Sequence, residues 1–158
     1  MADATFEEGR EAPLNLGAET SEDLSVLSSL VQDAVFTPSE MAWRPREHRF
    51  ASLINRFRWE DRVAAERRGR PYERVQSLLV INTVLGVSSQ GVDRTDKDLV
   101  LSILDISFEA RKDGSGHLVL TLAGDGALRL EVEALDVSLK DVTRPYVAPS
   151  GKAPRHPG

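Results

Sequence analysis

From Val75 onward the apolar residues recur mostly every second position, the period of a strand rather than of a helix. "VQSLLVINTVLGV" (75–87) is rich in β-branched residues and apolar on both faces, so it predicts a central strand, with Asn82 needing a buried partner. In "LVLSILDISFEA" (99–110) the apolar set is first odd-numbered (Leu99, Leu101, Ile103) and then even-numbered (Leu104, Ile106, Phe108). A slip of one residue turns every later side chain over, which predicts a β-bulge near Ile103 and Leu104. "RKDGSG" then makes a hairpin turn into "HLVLTLA", and "GDG" (124–126) a second, tight one. The last strand repeats the slip. Leu128, Leu130, Val132 and Ala134 hand over to Leu135, Val137 and Leu139, so a second bulge is expected at Ala134–Leu135. Two bulges on neighbouring long strands coil a sheet towards closure.

Upstream the period changes. Leu24, Leu27 and Val31 share one helical face with Leu30 beside them, Thr20 or Ser21 can cap, and Glu22 and Asp23 suit the positive end of the helix dipole. This predicts a helix ending near Gln32 or Asp33. "DAVFTPSEMAWRP" reads as two short strands around a Thr37-Pro38-Ser39 turn, the second ending before Pro45. Arg49–Trp59 is a longer strand, with Ala51, Leu53, Phe57 and Trp59 on one face. Phe50 and Ile54 lie on the other, where Arg56 and Arg58 then make a wet surface. Residues 60–72 have no apolar period and contain Gly69 and Pro71, so a long loop with one helical turn around Arg62–Arg67 is expected. The resulting fold class is mainly β (α+β). It is a single strongly bent antiparallel sheet or partly open barrel of about seven strands, with one N-terminal helix packed on it.

Length and composition fit one domain, 19–143, between a disordered acidic tail (1–18) and a disordered Pro/Gly-rich tail (144–158). Aromatics are 6% of a 158-residue chain, so Leu, Val and Ile must build the core. The absence of cysteine removes disulfides, thiolate metal sites and cysteine nucleophiles together. "MADATFEEGREAP" has no apolar core of a secretory signal, and the longest near-apolar run, "LLVINTVLGV", is half of what a membrane crossing needs. A soluble cytoplasmic protein without membrane contact is expected.

No catalytic constellation emerges. His48 and His117 fall at turns, His156 in the C-terminal tail, and their spacing makes no metal site. Ser28, Ser29, Ser77, Ser88 and Ser89 have no nucleophile elbow. Asp93, Asp96 and Asp98 lack the glycine and distal glutamate of a calcium loop and are interleaved with Arg94 and Lys97, as in a solvated loop. No enzyme activity, cofactor or metal is expected.

One segment stands out. Trp43–Arg74 holds ten arginines against five acids, a surplus of five in a chain whose net charge is −5. Two readings follow. Arg56, Arg58, Arg67, Arg68, Arg70 and Tyr72 can form a surface for RNA or a phosphate ligand, since guanidinium forks match phosphate. The structural alternative places Phe57 and Trp59 in the core and pairs Arg56 or Arg58 with Glu131 or Glu133 across the sheet. The same six residues, the 62–72 loop or a sheet edge can also serve a protein partner or self-association, because Arg, Tyr and Trp are enriched at interface hot spots.

"LVQDAVF…MAWRPREHRFASLINRFRWE", "RRGRPYERVQSLLVINTVLGV" and "LRLEVEALDVSLKDV" carry a resemblance over roughly Leu24–Val142. The chain resembles an uncharacterised family of short proteins, a domain of unknown function common in alphaproteobacteria. The resemblance implies a small bacterial single-domain protein and brings no catalytic residue or ligand. The expectation is a non-catalytic protein-interaction or scaffold module, with weak RNA or phosphate-ligand binding through residues 44–74 as the alternative.

Overall fold

Thr20 is extended, and its hydroxyl accepts the Asp23 amide at 3.1 Å, so helix α1 (Ser21–Leu30) starts at the expected cap. Leu24 and Leu27 are buried on its inner face, followed by Val31. In the computed structural model, which describes residues 12–149 and 153–154, this helix lies against an antiparallel sheet of eleven strands. They are β1 (Asn15–Ala18), β2 (Val35–Phe36), β3 (Met41–Arg44), β4 (Arg49–Phe57), β5 (Glu73–Ile81) and β6 (Val84–Gln90). The chain continues as β7 (Leu101–Ala110), β8 (Gly116–Leu122), β9 (Ala127–Val132), β10 (Val137–Asp141) and β11 (Tyr146–Val147). A second helix, α2 (Arg62–Arg68), interrupts the strands.

The strand order is β1-β10-β5-β4-β2-β7-β8-β9-β6, with β3 added to β4 and β11 to β5. The registers stack side chains into rows. Ala18, Val137, Ile81, Phe50 and Trp43 form one, and Leu16, Leu139, Leu79, Ser52 and Met41 the next. Across the molecule Phe108, Leu118, Leu130 and Val87 form another row, followed by Ile106, Leu120, Leu128 and Ser89. Most of these residues belong to one hydrophobic cluster, so the two halves of the sheet close on a single core.

The expected bulge is present where the slip in phase placed it: Ile103 faces Leu122 and Asp105 faces Thr121, which leaves Leu104 unpaired. The other two expectations for long strands need correction. The 75–87 segment is not one strand, and the Ala134–Leu135 slip is not a bulge. Both are corners where the chain passes from one half of the sheet to the other. β5 pairs with β10 before the corner, and β6 with β9 after it. Thr83 turns there with φ +57°, unusual for a β-branched residue. Its hydroxyl donates to the Ala134 carbonyl at 2.7 Å and accepts the Ala134 amide at 3.2 Å, while its carbonyl takes the Glu133 amide at 2.9 Å. The Asn82 amide donates to the Asp136 carbonyl at 2.9 Å, and the Asn82 side chain accepts Arg49 Nε at 3.2 Å. A phase slip alone does not distinguish a bulge from a corner, because both insert one residue of reversed facing.

Further differences lie at the edges. Asn15–Ala18 forms β1 against β10, within the segment expected to be a tail, and Tyr146–Val147 forms β11. Of the two expected tails, residues 1–11, 150–152 and 155–158 lie outside the described residues. The helical turn expected around Arg62–Arg67 in the 60–72 loop is present as α2, closed by Gly69 at φ +63°. No helix among the described residues is long and apolar enough to cross a membrane.

Thr83→Ala removes both hydroxyl bonds at the corner while leaving the strained φ in place. An expected loss of about 1–2 kcal/mol, from two hydrogen bonds, will show as a lower urea midpoint with an unchanged m-value.

Candidate functional site

The arginine segment is where the structure departs furthest from the expected wet surface. On β4 the buried face is the even-numbered one: Phe50, Ser52, Ile54, then Arg56. Arg56 is fully buried. Its Nη1 and Nη2 donate to the two Glu60 oxygens at 2.9 and 2.8 Å, and Nη2 donates to Asp141 Oδ2 at 3.0 Å. Nε donates to Asp141 Oδ1 at 3.2 Å and Ser77 Oγ at 3.1 Å, and Ser77 itself donates to Asp141 Oδ1 at 2.6 Å. Asp141 Oδ2 also accepts the Leu14 amide at 2.9 Å. Burial by itself lowers the arginine pKa, but the bonds and charges of Glu60 and Asp141 outweigh it and hold the group above its ordinary value.

Arg58 is also buried rather than wet. Its Nη1 donates to Glu73 Oε1 at 2.6 Å and lies 3.8 Å from Asp61 Oδ2. Arg70 makes a fork onto Asp61, both bonds 2.9 Å, and the Asp61 bond is the main cause of its raised pKa. The Tyr72 hydroxyl donates to Glu66 Oε1 at 2.8 Å, which Arg62 Nε also reaches at 3.2 Å. Arg67 and Arg68 are exposed in the last turn of α2, where positive charge suits the helix dipole. Phe57 is fully buried, edge-on to Trp59 at 4.6 Å and 5.6 Å from Tyr72, as the structural alternative placed it.

The acids that meet these arginines are not those the alternation suggested. Glu131 instead lies 3.8 Å from Arg111 on the far half of the sheet. Glu60, Asp61, Glu73 and Asp141 take Arg56, Arg58 and Arg70, so those three guanidinium groups do not converge on an open anion site. A guanidinium with two carboxylates, removed from water, is a structural clamp. Among the described residues the remaining sequence candidates make no metal-holding cluster, and His156 lies outside them. His48 has φ +53° and Nδ1 at 3.2 Å from the Val84 carbonyl, and His117 sits in β8 opposite Glu109 and Glu131. Asp93 Oδ1 accepts the Thr95 amide and Asp96 Oδ1 the Asp98 amide, so both carboxylates are bonded within their own loop.

Among the described residues, two openings border an unpaired strand edge. A cleft of about 380 Å³ separates α1 from β7 and is lined by Ser21, Ser25 and Ser29 on the helix, Gln32 just past its end and Ser107 on the strand. At its floor Ser28 Oγ accepts the Ile106 amide at 2.9 Å and donates to Asp105 Oδ1 at 3.1 Å. Beyond its short pairing with β2, the outer edge of β7 has no strand neighbour. The helix covers that edge and Ser28 satisfies part of it, which is a structural task.

The second opening is apolar. β3 pairs only with β4, and β6 only with β9, so each presents a free edge. Between them lies a slot of about 210 Å³ lined by Met41, Trp43, Phe50, Val87 and Leu128. At one end the seam is pinned: the Val84 amide donates to the His48 carbonyl at 2.8 Å, beside the His48 ring contact. Pro38, Ser89 and Arg94 also line the slot. Sequence reasoning did not single out these residues. The alternation of Met41 with Trp43 and of Val87 with Ser89 marks inward positions, but nothing in the order of residues brings β3 beside β6.

A family model described as "Protein of unknown function (DUF2948)" matches residues 14–156. The chain belongs to that family. Comparison with curated proteins found no match, and comparison with solved structures found none. Membership of DUF2948 agrees with the resemblance to a domain of unknown function and attaches no activity to any of the residues above.

Arg56→Met strands Asp141 in the interior, and a loss of about 3–5 kcal/mol is expected. Adding Asp141→Asn is expected to recover part of it, which urea unfolding of the two variants will measure. A second outcome concerns pH. The Tyr72 hydroxyl and Arg62 hold the Glu66 carboxyl below its ordinary range, and Glu66 in turn raises Tyr72. The contact is therefore complete at neutral pH. It is lost as pH falls through the lowered Glu66 value or rises through the raised Tyr72 value. Tyr72→Phe is expected to return the Glu66 titration, read by carboxyl NMR shifts, towards the ordinary glutamate value.

Proposed function

We propose that this chain is a non-catalytic interaction module of the bacterial cytoplasm that takes up an extended segment of another protein at the seam between β3 and β6. The observation that carries the reading is the pair of free strand edges flanking an apolar slot. An unpaired edge offers a row of backbone donors and acceptors, and a neighbouring pocket selects a side chain; together they are the elements of recognition by strand addition. The partner's chemistry follows from the lining. Apolar side chains fit Trp43, Met41 and Val87, and a negative charge complements Arg94, the one charged residue of the slot.

The alternative, an RNA or phosphate ligand held by the arginine segment, has less support. Arg56, Arg58 and Arg70 are engaged by carboxylates, and a phosphate would have to displace those bonds. Of the earlier interaction candidates, Arg67 and Arg68 lie on α2 and Tyr72 beyond it, and none of the three lines the slot. The sheet edge is the better-supported surface.

The test uses a phage-displayed library of linear nine-residue peptides selected on the full chain. Peptides that bind the native protein are expected to lose at least tenfold in affinity on Val87→Lys, which puts a charge in the slot. Val142→Lys, on an exposed position of the opposite region, is expected to leave affinity unchanged. Enrichment of no peptide, equal binding to the Val87→Lys protein, or filling of the seam by a second copy in sedimentation runs overturns the reading.

A further inference from the structure

The seam is a blind slot rather than a channel. At Val84 it is knitted shut by the His48 carbonyl and ring, so an extended chain cannot run its whole length between β3 and β6. Past the pinned end β6 contributes Val87 and Ser89 to the lining, and from Val87 to the end of the strand at Gln90 is roughly four residues at about 3.3 Å each. The size of the recess fits that short reach. A dry apolar cavity of about 150 Å³ holds a benzene ring, so about 210 Å³ accommodates one aromatic or branched aliphatic side chain with its backbone entering.

The polar groups of the slot are few. Ser89 continues the inward row of Ile106, Leu120 and Leu128 on the outermost strand, placing a hydroxyl where that row ends in the recess. Arg94 is exposed and also lines the slot, and among the described residues no hydrogen bond or ion pair engages its guanidinium. That sets it apart from Arg56, Arg58 and Arg70. The nearby carboxylates of Asp93 and Asp96 are bonded to their own loop instead. A planar fork of donors beside a hydroxyl and a one-residue apolar recess matches a carboxylate carried on the same residue as a large apolar side chain.

Resting on the seam reading above, we infer that the partner segment ends at this slot: its last side chain enters the recess against Trp43, and its C-terminal carboxylate is received by Arg94 and Ser89. Capture of a chain terminus explains together the pinned end, the small volume and the unengaged cation of the slot. A partner strand passing through would need an open seam instead.

The probe is an N-acetylated hexapeptide of alternating valine and threonine ending in phenylalanine, prepared as the free acid and as the amide. Binding is measured by calorimetry, and by fluorescence of Trp43 in a Trp59→Phe background. The free acid is expected to bind at least ten times more tightly than the amide. Arg94→Gln is expected to erase that preference while leaving the urea midpoint unchanged, since the residue is exposed. Phenylpropionate, a free carboxylate of the same chemistry, is expected to compete only weakly because it lacks the strand. Equal binding of acid and amide, both abolished by Val87→Lys, overturns the terminal carboxylate and leaves the seam reading intact. Tighter binding of phenylpropionate than of the peptide acid assigns the slot to small molecules and overturns the inference. Failure of the hexapeptides together with failure of the phage selection removes both.

Discussion

The arrangement of this sheet depends on one buried cation. Arg56 sits where the apolar rows of the first half run out, and the residues around it come from four separate parts of the chain. Asp141 closes β10, Ser77 belongs to β5, Glu60 precedes α2, and the Leu14 amide leads into β1. A hydrophobic side chain at position 56 would fill space. A guanidinium in addition dictates direction, because each of its donors must find an oxygen at a fixed angle. The clamp therefore fixes which strands are neighbours at this end of the sheet.

Charge and apolar surface divide the molecule between them. On the β4–β5 side, acids gather round Arg56, Arg58 and Arg70 and occupy three of the segment's ten guanidinium groups. On the far side, the core reaches the surface through the gap between two strands with no common partner. The surplus of arginine in the sequence drew notice to the first region, whereas the opening with the features of a recognition site belongs to the second. A count of charges along a chain cannot register cross-sheet neighbours such as Asp141, 85 residues away from Arg56.

What could be read in advance followed from local rules. The α1 cap at Thr20, its face of Leu24, Leu27 and Val31, the bulge at Leu104 and the two glycine hairpins are short-range features, and each is present. The facing of Arg56 was misread because Ala51, Leu53 and Phe57 looked like the core side and arginine like the wet one. Burial of Arg56 needs its distant oxygens, and those are invisible in a window of ten residues. The corner at 133–136 was legible as a change of phase but not as a change of sheet half, and the corner at Thr83, inside a run apolar on both faces, read as continuous strand. The seam had no signature at all, being the contact that β3 and β6 fail to make.

The pairing of Asn15 with Lys140, beside the Leu14 amide on Asp141, has a consequence for biosynthesis. A ribosome delivers β1 early, yet its hydrogen-bonding partner is more than a hundred residues behind. Until then the strand has no ladder, and the hairpins of β7, β8 and β9 are free to assemble first because their contacts are near in sequence. The same proximity means that residues 14 and 141 could be tethered by a short linker and the chain reopened at the 111–115 hairpin turn. Such a circular permutant would reverse the order of assembly while preserving every strand but the two-residue β11.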